Sequence, residues 1–463
     1  MRERIEVTHT LSAMAAEAAV RPGKVTQRRV GQHQLALMSL YWIAIGYLWS
    51  SLGALILPDL VQHLVGRAHK GTAISVLEGI GTLMAVIWQP MAGSISDRWR
   101  SPLGRRRPFI IAGTAGDVIF LIGLALSGSY WVLVIFYFLL QTASNTAQGP
   151  YQGLLPDVVP PEQRGEASGY YGVANLVGIL AGTVGAGFLL HQYGRGVAIA
   201  SIAALLAVTM LVTVLMVPDV ARPTEAQFES PRHAFVHTFS LDLRKHRDFA
   251  WLMASRLLIL MGILGLQSFA FFYFSDVFFP HDRKETTLAT SVLLGLVVLV
   301  GLLVTLPAAK LSDRVGRKKI VCAGGLIGAA ATVAVVFSHY QLLPTGAAQP
   351  LAAWLHVPWL AAQAVLFGFA IGVGFGAFLS VDWAFITDVI PSDEAGRFMG
   401  FSNIATAGSG IIARLSAGWL LDYFNAGPRI LGLPGGYPVI FGLFAAWMVA
   451  GSLLVLKVRE RPR

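Results

Sequence analysis

Apolar runs of about 20 residues recur twelve times along these 463 residues, near 34–57, 72–94, 108–127, 131–155, 168–190, 197–217, 250–279, 287–310, 320–338, 359–386, 397–420 and 437–456. A helix of that length crosses the hydrocarbon core of a bilayer, roughly 30 Å thick. Lipid offers no partner to backbone N–H and C=O groups, so each run is confined to a helix. Only 13% of the residues are charged, against roughly 25% in a soluble domain. The sequence therefore predicts an all-α membrane protein with twelve transmembrane helices, and nothing else in it constrains the fold as tightly.

A formal net charge of +10 could indicate a nucleic-acid partner, but the placement of the basic residues argues otherwise. With the N-terminus inside, six of the 35 Lys and Arg residues fall outside: Arg67, Lys70, Arg195, Arg283, Lys284 and Arg429. Arg256 and Arg414 fall within the membrane, and the rest face inward. This is the positive-inside pattern. It predicts a multi-pass protein of the inner (plasma) membrane with both termini cytoplasmic, its charge setting orientation. One cysteine, Cys322, allows no disulfide within the chain.

Residues 1–33 read as a disordered cytoplasmic tail, since their apolar stretch Leu11–Val20 is short and carries Glu17. Residues 218–249 hold Pro218, Pro223 and Pro231 and read as a cytoplasmic linker, part of it a possible surface helix. They divide a bundle at 34–217 from one at 250–456, with a second tail at 457–463. The halves are copies. LPDVVPPEQRGEASGYYG (155–172) aligns without a gap to ITDVIPSDEAGRFMGFSN (386–403), matching Asp157 to Asp388, Pro160 to Pro391, Gly165 to Gly396 and Gly169 to Gly400. Duplication on that scale predicts two pseudo-symmetric six-helix bundles that rock about a site between them.

Each half also carries an acid, an Arg, and a Gly with a basic cluster: SDRWRSPLGRRRP (96–108) and SDRVGRKK (312–319). Asp97 and Asp313 end helices there. Each carboxylate can pair with Arg98 or Arg105, or with Arg314 or Arg317, and can face the positive N-terminus of a helix in the other half. Topology alone needs only bases, so the acids point to gating, with Gly104 and Gly316 making tight turns. Glu162 and Arg164, with Glu166, and Asp393 and Arg397, with Glu394, read as matching clamps. The alternative for such clusters is a merely solvated charge.

These loops resemble the signature of the major facilitator superfamily. WQPMAGSISDRWRSPLGRRRPFIIAG (88–113) is similar to the glycoside–pentoside–hexuronide:cation symporters, and the inserted residues Arg100–Leu103 to their sucrose/proton symporter branch; SNTAQGP (144–150) and FFYFSDVF (271–278) add support. The resemblance implies the major facilitator fold and alternating access. It further implies uptake of a sugar, of sucrose or maltose type, with a proton or possibly sodium, by a monomer without a cofactor. It also exposes a departure: the branch has an aspartate in the fourth helix where this chain has Gln141, which cannot titrate.

An ionisable residue at a membrane-helix centre costs roughly 2.5–3.5 kcal/mol on insertion scales, so those present need a reason. Asp117, Asp382 and Glu78 are the candidates for proton coupling; the alternative is structural pairing with Arg256 or Arg414. Sugars take hydrogen bonds from amides and carboxylates, and aromatic rings against their apolar faces. The substrate-contact candidates are Gln141, Asn145, Gln148 and Tyr151 in the fourth run, Tyr47 in the first, Gln267, Tyr273 and Asp276 in the seventh, and Asp382 and Trp383 in the tenth. For the aromatics the alternative is core or lipid-belt packing. Gly149–Pro150 is expected to break the fourth helix, and the glycines of the fifth and tenth to form packing surfaces. No metal-spaced Cys/His set or Ser/His/Asp constellation appears, so no enzyme is predicted. The rival functions are proton-driven efflux of another small metabolite or amphiphile, and a non-transporting sensor.

Overall fold

The protein is described by a computed structural model covering residues 29–219, 245–389 and 395–459. Residues 1–28 of the expected tail (1–33), 220–244 of the expected linker (218–249) and 460–463 of the second tail lie outside that description. All twelve apolar runs are helices. The first bundle comprises α1 (Gln32–Val65), α2 (Lys70–Arg98), α3 (Arg107–Ala125), α4 (Tyr130–Val158), α5 (Arg164–Tyr193) and α6 (Arg195–Met216). The second comprises α7 (Arg247–Val277), α8 (Arg283–Val315), α9 (Arg317–Val336), the short α10 (Thr345–Leu355), α11 (Trp359–Val389), α12 (Ala395–Asn425) and α13 (Gly436–Leu454). The sequence reading gave no sign of α10, whose 11 residues are too few to span a bilayer.

Ten of these helices are long and apolar enough to cross a membrane. The two that miss that apolarity, α4 and α12, are 29 and 31 residues long. They carry polar groups that the fold buries, Gln141, Ser144 and Asn145 on one and Ser402 and Ser409 on the other.

Local chemistry sets the ends. Ser129 accepts the N–H of Val132 at the start of α4, and Asp282 accepts those of Lys284 and Glu285 at the start of α8. Gly104 and Gly316 stand at φ +103° and +98°, a region that L side chains avoid, and each turns the chain into the next helix. Gly149–Pro150 does not break α4, contrary to expectation. The helix runs on through Pro150 and Pro156, because proline removes one backbone bond and leaves the others in place. Gly149 instead lets the Gln89 carbonyl of α2 come close.

Glycine also joins α1 to α5: a Cβ at Gly46 would lie 2.6 Å from the Asn175 carbonyl oxygen, and one at Gly178 would strike that of Ile43. Gly374 of α11 meets Gly324 of α9 in the same way, at 2.5 Å. Both helices carry a π-turn near this contact or beyond it, Leu52–Ile56 in α1 and Ala181–Gly185 in α5.

Burial along α2 shows how the two bundles sit. Lys70, Gly71, Ala73, Ile74, Ser75, Leu77, Glu78 and Gly81 are buried, whereas beyond them only Ala92 and Ser96 are. Leu83, Ile87, Met91 and Ile95, one turn apart, are exposed. On α8 burial likewise concentrates between Thr286 and Gly295. The bundles close on each other at the end away from the chain termini and part toward the end that carries them.

Candidate functional site

The closed end is a lock of ions and helix ends. Lys70, fully buried at the start of α2, reaches Asp276 of α7 at 2.6 Å, with Gln62 Oε1 at 3.3 Å and the Phe272 ring 4.9 Å below it. The Tyr437 hydroxyl of α13 donates to the same carboxylate oxygen at 2.6 Å. Asp59 of α1 takes Arg283 of α8 at 2.7 Å and Arg195 at 3.2 Å. Asp422 of α12 accepts the backbone N–H groups of Gly71 and Thr72 at 2.9 and 2.7 Å. A carboxylate of one bundle thus caps the positive N-terminus of a helix in the other. Above the lock lies a cavity of about 290 Å³ lined by Asp59, Gln62, His63, Arg67, Ser275 and Arg283 among others.

Two turns deeper on α2, a second cluster straddles the bundles inside the membrane span. Arg414 of α12 pairs with Glu78 at 2.5 Å, donates to Ser268 of α7 at 3.0 Å and to Thr82 at 3.3 Å. Ser268 donates to Glu78 at 3.3 Å. Ser75 of α2 donates to the Arg414 carbonyl at 2.6 Å. On α4, Gln141 donates to the Tyr137 hydroxyl at 2.9 Å and accepts from Asn145 at 3.2 Å. Tyr137 and Gln141 press on α2 at Gly81, where a Cβ would come within 2.5 and 2.7 Å of them. The polar groups of α4, bonded among themselves, thus lie beside a network that joins α2 to α12 and α7.

The end near the termini has its own pairs, each within one bundle. Asp157, at the close of α4, takes both Arg105 and Arg106, the latter at 3.1 Å. Arg106 also pairs with Asp97 and donates to Ser96 at 2.6 Å. In the second bundle Arg317 pairs with Asp388 at 2.9 Å. Asp157 and Asp388 are the aligned acids of the repeat, so in each half the duplicated acid pairs with arginine from the signature loop or the helix start after it.

The structure brings some of the candidates together and separates others. Gln141, Asn145 and Glu78 share the cluster just described. Gln148 is half-buried on α4, one turn nearer the termini, and Gln267 is half-buried on α7. Tyr151 is fully buried, donates to the Met38 carbonyl and stacks on Tyr171, with ring centroids 5.6 Å apart. Tyr47 bonds Ser201 of α6 at 2.9 Å, and Tyr273 donates to the Val335 carbonyl near the end of α9 at 2.8 Å. These hydroxyls find partners inside their own bundle, which turns the rings away from the space between the two. Asp276 sits in the lock, held there by Lys70. Asp382 pairs with Arg256 at 2.5 Å within the second bundle, and Arg256 reaches Thr406 at 3.0 Å. Asp117 is fully buried in α3, and neither carboxylate oxygen meets a hydrogen-bond partner.

Asp97 pairs with Arg106, a partner the sequence did not single out, since the turn at Gly104 aims Arg106 back at the end of α2. Arg98 and Asp313 also engage other groups. Arg164 caps α4, donating to the Pro156 carbonyl at 3.1 Å, while Glu162 is exposed. Arg314 is exposed beside Gly316. Asp393 and the side chains of Arg397 and Trp383 lie outside the described residues. Among the site residues that the sequence reading left without a role are Lys70, Asp422, Arg106 and Asp157. The repeat marked Asp157, and Lys70 stood out as one of few bases on the base-poor side.

Over residues 34–355 the sequence matches the Major Facilitator Superfamily, and the chain belongs to that family. Members of that family are multi-pass membrane transporters rather than enzymes. Among curated relatives, sucrose transport protein SUC3 of Arabidopsis thaliana is 30% identical over 156 residues, 28% of this chain and 26% of that protein. Sucrose transport protein SUT4 of Oryza sativa subsp. indica is 26% identical over 195 residues, 36% and 32% respectively. The aligned part thus spans about a third or less of these relatives. Among solved structures, nucleoside transporter NupG superposes with a TM-score of 0.66 at 15% identity, covering 92% of this chain and 98% of that one. A D-xylose-proton symporter superposes with a TM-score of 0.65 at 15% identity, covering 92% and 97%. At these identities the likeness is one of fold.

Proposed function

We propose that this transporter takes up a sugar or glycoside together with a proton by alternating access, as a monomer without a cofactor, and that the structure is its inward-facing conformation. The observation that carries the reading is the Glu78–Arg414 pair between the bundles, with Gln141 and Asn145 of α4 beside it, where the bundles are closed on one side and parted on the other. Amides, a carboxylate and a guanidinium at that depth suit a solute rich in hydroxyl groups. The similarity to sucrose transport proteins supports a disaccharide of sucrose or maltose type. The bias of basic residues toward the termini supports a cytoplasmic placement of the parted end in the inner membrane.

Asp117, Asp382 and Glu78 are the groups available to carry the proton, with Gln141 standing where the resembled branch has its acid. Of the three, Glu78 has a counter-ion in the opposite bundle. Asp97, Arg105, Asp313 and Arg317 are the inner-gate residues of this reading. The test is uptake of radiolabelled sucrose, maltose and related glycosides into proteoliposomes under an inward proton gradient. Accumulation that collapses with a protonophore is the expected result; absence of uptake for every glycoside by folded protein would refute the sugar assignment.

A further inference from the structure

We infer that α10 is a membrane-surface anchor: one flank of it, centred on Trp354, sits in the lipid interface at the closed end and ties the second bundle to that leaflet. The inference goes beyond the uptake reading and does not depend on it. A departure from the repeat is its starting point. In the first bundle residues 126–129 suffice to join α3 to α4. The matching connection in the second, from α9 to α11, takes residues 337–358 and adds a helix of 11 residues. No Asp, Glu, Lys or Arg stands in that connection; the nearest along the chain are Lys319 and Asp382. A water-facing segment carries about one charged residue in four, so this one is not composed for water.

At 3.6 residues per turn the helix has three sides. Ala348, Ala352 and Leu355 are buried against the protein. Thr345 and Gln349, one turn apart and both exposed, make a polar flank. Ala347, Pro350 and Trp354 make the flank opposite, with Leu351 half-buried at its inner edge. Trp354 is 71% exposed. Indole favours the membrane interface, where its ring meets acyl chains and its N–H meets water or headgroups. A short helix with a protein side, a polar side and an uncharged apolar side suits a position in the plane of the bilayer surface. The chain that leads into it continues lipid-facing surface. Leu326, Ile327 and Val333 of α9 are exposed, and Tyr340 and Leu342 follow them toward α10, also exposed.

The approach to α10 is held firmly to the bundle. Gln363 of α11, fully buried, accepts the N–H groups of Leu342 and Leu343 at 2.9 and 2.7 Å. Its amide nitrogen donates to the carbonyls of Ser338 and Tyr340 at 3.0 and 2.8 Å. One side chain thus uses two acceptor and two donor positions, its whole capacity, on the segment between α9 and α10. His339 Nε2 lies 2.9 Å from the Leu431 carbonyl oxygen of the α12–α13 connection, a second tie. An anchor fixed in this way sets the depth of the second bundle in the leaflet.

Full-length protein carrying Cys322→Ala, which removes the single cysteine, receives one cysteine at a time, at Ala347 on the apolar flank or at Gln349 on the polar one. Spin labels there are measured in liposomes of phosphatidylcholine and phosphatidylglycerol, without solute. Their collisions with oxygen, which concentrates in lipid, are compared with those with a water-soluble nickel chelate. The expected result is a depth of roughly 5–10 Å below the headgroups at 347 and a position in water at 349. Equal access of the chelate to both labels would overturn the anchor. Spin–spin broadening at 347 would overturn it too, by placing a second copy of the chain on that flank. Trp354→Asp is expected to lift the 347 label to the level of the 349 one, and Trp354→Phe to leave it at depth. A 347 label that stays at depth in Trp354→Asp would show that protein packing, not lipid, sets its position. Should Trp354→Asp fail to fold, the comparison of 347 with 349 decides alone.

Discussion

At the scale of single residues, Asp97 of the first signature loop matters less to the fold than Asp157 of the repeat. Asp97 is 51% exposed and shares Arg106 with Asp157, whereas Asp157 is 13% exposed and holds Arg105 as well. Removing a half-solvated partner costs below about 1 kcal/mol; removing the buried one takes a shared carboxylate from Arg105 and Arg106 at once and costs about 3 kcal/mol. Asp157→Asn is therefore expected to lower the thermal midpoint in detergent well beyond Asp97→Asn, and equal midpoints would refute this ranking. The sequence carried the signal in the alignment of Asp157 with Asp388, but spacing alone does not show which base an acid meets. The same limit applies to Tyr47 and Tyr273. Residue type makes an aromatic ring suitable for a sugar; only packing decides that its hydroxyl goes to Ser201 or to the Val335 carbonyl instead.

At the scale of helices, hydropathy made the elements legible, because lipid leaves the backbone no alternative to a helix. It did not make their neighbours legible: Glu78 and Arg414 each announced a cost, and their pairing was one of several alternatives that the sequence could not choose between. What ties them is a seam of small residues. A Cβ on Gly418 of α12 would strike the Ser75 hydroxyl and the Gly71 carbonyl oxygen, and one on Gly71 would lie 2.5 Å from the Gly418 carbonyl oxygen. Only at that approach does Asp422 reach the start of α2 and Arg414 reach Glu78. Gly418→Val is expected to leave α2 and α12 intact in lipid while forbidding the closed seam, cutting transport turnover at least about tenfold, as overpacking of a few kcal/mol implies. Turnover at the wild-type rate in proteoliposomes would show that the seam does not close during the cycle.

At the scale of the whole molecule, the closed end is held by a buried cation whose anion belongs to the other bundle. Lys70 is fully buried, and Asp276 is its closest carboxylate. Asp276→Asn leaves the ammonium with Gln62 and the face of Phe272, which do not replace a carboxylate; a buried charge stripped of its partner costs about 3–5 kcal/mol. The conformation that avoids that cost is the one in which the bundles separate and water reaches Lys70. The separation is readable at Ser291 of α8, which is buried against Gly187 of α5 at a second contact between the bundles. In a Cys322→Ala background, Ser291→Cys is expected to react slowly with a membrane-impermeant thiol reagent added on the closed side, and at least about tenfold faster once Asp276→Asn is introduced, as the loss of a buried partner implies. Adding Lys70→Met to Asp276→Asn removes the stranded charge along with its partner, so reactivity returns toward the slow rate. Were Asp276→Asn to leave the rate unchanged, the ion pair would be a passenger on a closure held by Asp59–Arg283, Glu78–Arg414, Asp422 and the glycine seam.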